Sequence, residues 1–252
     1  MLIADKTVLV TGANRGIGRA LVEEALSRGA KRVYAGTRQP LAHPDGRVTP
    51  LTLDITDEGQ IQRAVEQVES LDVLINNAGV GLLNELSDRV ALEQHLAINL
   101  FGPYAVTQAF LPLLTRSRGA IVNNLSMNAL APMPLVSAYS AAKAASFSLT
   151  QSSRTLLAGQ GVSVYAVLTG PVDTDAARGF DIPKASPESV ARAIFDGVSR
   201  THPGGGRRLR ISNHPRLRGQ CRSRRPGVRR RRHNAPPAHA DRPVPSRRRP
   251  WR

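Results

Sequence analysis

Tyr139 and Lys143 stand four residues apart in Ser137-Ala-Tyr-Ser-Ala-Ala-Lys143, a spacing that puts both side chains on one face of a helix. A lysine ammonium beside a phenol favours its ionised form. A tyrosine tuned in this way exchanges a proton with a carbonyl or alcohol oxygen near neutral pH. Ser126 lies thirteen residues before the tyrosine. A Tyr-x-x-x-Lys pair alone is weak evidence of catalysis. The elements that must carry it decide what it means.

The β-branched run Thr7–Thr11 reads as a first strand. It enters Thr11-Gly-Ala-Asn-Arg-Gly-Ile-Gly18, after which Ala20, Leu21, Ala25 and Leu26 recur at helical spacing up to Gly29. Further strands are expected at Arg32–Thr37, Val48–Leu53, Asp72–Asn76, Ala120–Leu125 and Val162–Leu168. Helices are expected from Thr56 and Asp57 to Glu69, Asp88 to Thr115, Ala138 to Ala158, and Ser186 to Arg200. Gly102 and Pro103 predict an irregularity within the second of these. Strands alternating with helices imply a single α/β domain over 1–200, a doubly wound parallel sheet of Rossmann type covered on both faces.

Gly12-x-x-x-Gly16-x-Gly18 lies between a strand and an amphipathic helix, where glycines let the backbone approach a pyrophosphate resting on the helix N-terminus. A merely flexible turn is the alternative. The end of the second strand carries Thr37-Arg38 rather than an acid. With Arg15 in the glycine loop, two guanidiniums there suit a ribose 2′-phosphate and favour NADP over NAD. Asp54 could accept from an adenine amino group or close a local turn.

Taken in order, Thr11-Gly-x-x-x-Gly-Ile-Gly18, Asn76-Asn-Ala-Gly79, Asn99, Ser126 and Tyr139-Ser-Ala-Ala-Lys143 resemble the marks of the short-chain dehydrogenase/reductases across residues 5–200. The resemblance implies an oxidoreductase that transfers a hydride between NADP(H) and a carbonyl or alcohol substrate. Tyr139 would be the general acid. Lys143 would hold the nicotinamide ribose and lower the tyrosine pKa, and Ser126 would hydrogen-bond the substrate oxygen. Asn99 would interrupt the long helix and hold a water that passes protons towards Lys143. The implied cofactor-binding set is Gly12, Asn14, Arg15, Gly16, Ile17, Gly18, Thr37, Arg38, Asp54, Ile55, Asn77, Ala78, Gly79, Tyr139, Lys143, Gly170, Val172 and Thr174. No metal ligands are read from the chain. Thr169 departs from the proline usual before Gly170. A short lid over Asp175–Ala185, with Gly179 and Phe180, would leave a pocket walled by Met127, Ala129, Leu130, Pro132, Met133 and Leu135. Assembly as a homodimer or homotetramer would use the helices at 88–115 and 138–158, with Ala141, Ala142, Ala144 and Ala145 permitting close approach.

The net charge of +16 invites a nucleic-acid reading until it is mapped. Residues 201–252 hold 17 arginines, no lysine and one acid, Asp241, whereas residues 1–200 balance at 18 basic and 18 acidic. Beyond Thr201 the apolar periodicity stops, and the Arg/Pro-rich text reads as a disordered tail. Arginine without lysine resembles a shifted reading frame more than an arm selected for phosphate contacts. Loss of the seventh strand usual in the family would expose a sheet edge. Nucleic acid is therefore not the expected partner. No secretory leader and no apolar stretch long enough to cross a bilayer are read, and one cysteine, Cys221, fits a reducing cytoplasm. Two other classes stay open: a nucleotide-binding protein without catalysis, and a nucleic-acid binder acting through the tail.

Overall fold

The computed structural model describes residues 1–39, 41–84, 88–179, 181–200 and 209–211. The run Thr7–Thr11 forms β1, buried along its whole length. It is followed by β2 (Arg32–Thr37), β3 (Val48–Thr52), β4 (Val73–Asn76), β5 (Ala120–Ser126), β6 (Ser163–Thr169) and β7 (Leu209–Ile211). Every pairing is parallel, in the order β3-β2-β1-β4-β5-β6-β7. Sequence order reverses between β1 and β4, so a crevice opens at their carboxyl ends, where open sheets of this kind bind ligands.

The strands are apolar on both faces because helices cover both. Val8, Val10, Val73 and Ile75 face α1 (Gly16–Ser27) and α6 (Pro187–Arg200), packing with Leu21, Ile194 and Phe195. Leu9, Leu74, Ile121 and Val164 face the other way, against α2 (Glu58–Gln67), α4 (Gly102–Ser117) and α5 (Ser137–Ala158). Side chains cap these helices where the sequence suggests they should. The Asp57 carboxylate accepts from the Gln60 N–H at 2.9 Å, Asp88 from Ala91 at 2.9 Å, and the Ser186 hydroxyl from Ser189 at 3.2 Å.

The helix expected over Asp88–Thr115 is a composite. α3 (Arg89–Leu96) passes through a π-helical turn, Ala97–Phe101, into α4. Pro103 has no N–H to offer the carbonyl four residues before it, which is Asn99's. The Ser146 hydroxyl on α5 donates to that carbonyl instead, at 2.5 Å. The run Arg89–Ser117 is also, by length and composition, long and apolar enough to cross a bilayer, contrary to the sequence expectation. Its Val106, Phe110, Leu113 and Leu114 are buried against the sheet.

The sheet does not end at β6. Leu209–Ile211 pairs with Val167–Thr169. This strand is too short for periodicity to reveal. It forms because the outer edge of β6 presents unpaired backbone groups that a following segment can satisfy. The rest of the proposed tail, 201–208 and 212–252, lies outside the described residues.

Candidate active site

Three elements bring the chemistry together. Ser126 ends β5, while Tyr139 and Lys143 occupy successive turns at the start of α5. The Lys143 side chain is buried, its Nζ bonded to the Asn124 carbonyl at 3.2 Å and 5.7 Å from the centre of the Tyr139 ring. Burial pulls the ammonium down from 10.5 to about 8. Burial also pushes the Tyr139 phenol above its ordinary value, while hydrogen bonding from the facing Ser126 hydroxyl pulls the other way. The resemblance gives a lowering influence to Lys143, and the Ser126 hydroxyl adds one of its own.

The glycine loop is built for close approach. Gly12 has φ +67°, and a methyl there would stand 2.9 Å from Ala78 Cα. One on Gly18 would stand 1.9 Å from the Gly12 carbonyl oxygen. Arg15 precedes α1 in an extended conformation with no capping bond from its side chain. The first-turn N–H groups of α1 therefore face the crevice as an anion site. These features fit a dinucleotide: a backbone-only cradle at a helix N-terminus, at the switch point of the sheet.

Thr11 ties this cradle to the loop after β4. Its hydroxyl accepts from the N–H groups of Asn77 and Ala78, both at 3.0 Å. The Asn77 amide reaches back to the Thr11 carbonyl at 3.0 Å and accepts from Asn124 at 3.0 Å. Gly79 is enforced too, since a methyl there would meet Asn99 Oδ1 at 2.8 Å and Lys143 Nζ at 3.6 Å. Asn99 uses its whole amide on Val80, donating to the carbonyl at 2.8 Å and accepting from the N–H at 3.1 Å.

Behind Lys143 lies a cavity of about 40 Å³ whose lining includes Asn76, Asn99, Asn123, Asn124, Ser146 and Thr150. Asn76 donates to Thr107 and Asn123, and Asn123 donates to Thr150. Thr11 enters the sequence reading only as the end of the first strand and the first residue of the glycine-loop mark, and Asn124 and Ser146 do not enter it as site residues; polarity on a strand and on a helix is the signal they offer.

Other expected residues are distributed as follows. Thr174 sits against Gly16, its Cγ2 3.0 Å from where a Gly16 methyl would lie. Val172 is buried and bridged to Ala185, and Gly170 is half-buried beside it. Ile17 packs on the core from the first turn of α1, and Asn14 is exposed. Thr37 is buried with its hydroxyl on the Gln39 carbonyl, and Arg38 is exposed. Arg15 meets Asp175 at 3.0 Å rather than Arg38, and Asp175 also pairs with Arg178. Asp54 closes the local turn, accepting from the Thr56 N–H at 2.9 Å and its hydroxyl at 2.7 Å. Ile55 is buried against Gly102.

Two expectations about surfaces change. Ala129, Pro132 and Met133 line a shallow cavity of about 380 Å³ against Ser137, Ala141 and Ala144 of α5, and Tyr139 is not among its walls. Ala142 is fully buried in the core rather than on the contact face with exposed Ala141 and Ala144. Its place follows from the helical period, which turns it towards the sheet. Phe180 of the expected lid lies outside the described residues.

The family described as short chain dehydrogenase matches residues 6–183. The short-chain dehydrogenase PC-15 of Penicillium crustosum is 40% identical over 182 residues, covering 67% of this chain. The chain spans 66% of that relative's own length. Estradiol 17-beta-dehydrogenase 2 of Mus musculus is 34% identical over 71% of this chain and 51% of its own. A short chain dehydrogenase from Burkholderia cenocepacia J2315, solved in complex with NADP, superimposes with a TM-score of 0.80 at 35% identity. The superposition covers 84% of this chain and 90% of that one.

Proposed function

Because the chain belongs to the short-chain dehydrogenase family of oxidoreductases, we propose that it interconverts a carbonyl compound and an alcohol using NADP(H). The observation that carries this reading is the convergence of Ser126, Tyr139 and Lys143 beside a glycine cradle fit for a dinucleotide. The nicotinamide, when bound, supplies or accepts the hydride. In reduction, the Tyr139 phenol gives its proton to the substrate oxygen as the carbonyl carbon is reduced. Ser126 donates to that oxygen and steadies the charge developing on it. Lys143 stands on the same helical face, binds ribose hydroxyls and stabilises the phenolate left behind. Asn99 shapes the wall by holding Val80 and lines the polar cavity behind Lys143, its backbone carbonyl held by the Ser146 hydroxyl.

Preference for NADP rests on Arg15 and Arg38 and on the absence of an acid at the end of β2. The Arg15–Asp175 pair is 69% and 48% exposed. Exposed pairs contribute about 0–1 kcal/mol, so a 2′-phosphate can displace Asp175.

The test is turnover. Purified protein should oxidise NADPH with members of a ketone and aldehyde panel, and Tyr139→Phe should remove that activity. Retained activity in Tyr139→Phe would exclude the tyrosine as proton donor. Arg38→Asp should raise the KM for NADPH by about tenfold, the loss of one charged phosphate contact. An unchanged NADPH/NADH preference would reject the arginine assignment.

A further inference from the structure

Gly79–Asn84, the segment following the Asn76-Asn-Ala start of the loop, lies as a strap against Tyr139. A methyl on Gly81 would stand 3.6 Å from the Cδ2 and Cε2 atoms of the ring. The strap is fastened at three points. Asn99 holds Val80 through both its amide groups. His95 accepts from the Leu82 N–H at 3.1 Å. Asn84 donates to the Ser137 hydroxyl at 2.9 Å, at the start of the helix that carries the tyrosine.

His95 is the middle fastening and is 0% exposed. Its Nδ1 lies 2.6 Å from the Ala91 carbonyl. A carbonyl can only accept, so Nδ1 carries the hydrogen, and Nε2 is left with the lone pair that Leu82 requires. Both nitrogens are thereby committed, one to α3 and one to the strap. The same ring meets Tyr139 edge-on, with centroids 6.2 Å apart and planes at 73°. An edge-to-face pair resists rotation of either ring.

We infer that His95 is a positioning residue for Tyr139, holding the strap at Leu82 while its edge fixes the orientation of the phenol ring. The inference rests on Tyr139 being the proton donor. It concerns how the donor is aimed and not whether it acts. Asn99, α3 and the tyrosine form one unit through this imidazole. Without its acceptor, the part-buried Leu82 N–H would turn to water, and the strap, already exposed at Leu82 and Leu83, would loosen.

The experiment compares His95→Phe, which keeps a ring but has no acceptor, with His95→Gln, which restores one. Amide exchange in segment 79–84 of the unliganded protein should quicken at least about tenfold in His95→Phe. Its kcat should fall about tenfold or more, while the NADPH dissociation constant, read by fluorescence, stays within about twofold. His95→Gln should recover most of both losses. Wild-type kcat in folded His95→Phe would overturn the inference. So would NADPH affinity falling in step with kcat, or His95→Gln doing no better. If His95→Phe is too unstable to assay, His95→Asn, too short to reach Leu82, takes its place under the same criteria. Tyr139→Phe is run alongside. An active Tyr139→Phe strikes the reading of the tyrosine beneath. An inactive one beside a fully active His95→Phe strikes only the role of His95.

Discussion

Lys143 is an ammonium 6% exposed to water, and its environment has a measurable consequence. Its folded pKa of about 8 lies below its unfolded value of 10.5, so the unfolded chain binds the proton more tightly. The penalty of burying the charge is complete below pH 8 and fades as pH rises towards 10.5. Tyr139 is shifted upward by burial, and it produces an opposite slope only above about pH 10. In denaturant titrations, the wild-type protein should therefore gain on Lys143→Met by roughly 2 kcal/mol between pH 7 and pH 9.5. Parallel pH dependences in the two proteins would contradict a desolvated lysine. At pH 7 the folded lysine is still mostly charged, as the role proposed for it towards the phenolate requires.

The knot between β1 and the loop after β4 is where secondary structure becomes a site. Thr11 closes β1, and its hydroxyl serves two N–H groups of a segment 66 and 67 residues away. Thr11→Val keeps the shape and removes the acceptor, leaving Asn77 and Ala78 donors in a half-dry crevice. Each orphaned donor costs about 1–3 kcal/mol. The variant should melt several degrees lower and bind NADPH roughly tenfold more weakly. Melting and affinity unchanged from wild type would show that the knot is not what holds the cradle. The π-turn makes a similar point within one helix. Pro103 frees the Asn99 carbonyl, and Ser146, from a different helix, takes it up.

The molecule as a whole leaves apolar surface on the helices that the family commonly uses for assembly. Phe101 is 60% exposed, Tyr104 47% and Leu156 74%, with exposed Ala141 and Ala144 alongside. We expect the chain to associate through this face, since such a surface on α4 and α5 is stabilised by burial against a second copy. Tyr104→Glu should reduce the mass measured by light scattering while sparing the far-UV spectrum. An unchanged mass would place the interface elsewhere. β7 bears on the same question, because it covers an edge of β6 that the sequence suggested would be bare.

Much of this was legible before any coordinates. Gly12, Gly16, Gly18, Tyr139 and Lys143 announce themselves because turn geometry and helical period act over a few residues, and the strands show their apolar runs for the same reason. Asp57, Asp88 and Ser186 mark helix starts as local caps. By contrast, His95 looked like one more residue of a helix, Thr11 like the end of a strand, and Leu209–Ile211 like tail. Nor could the chain reveal that Arg15 meets Asp175, or that the Ser126 hydroxyl opposes the upward shift of the phenol. Those facts depend on which groups lose water and which distant carbonyls or N–H groups they then face. Residue spacing carries the local periodicities in full, whereas desolvation and long-range hydrogen bonding come into being when elements far apart in the chain pack together.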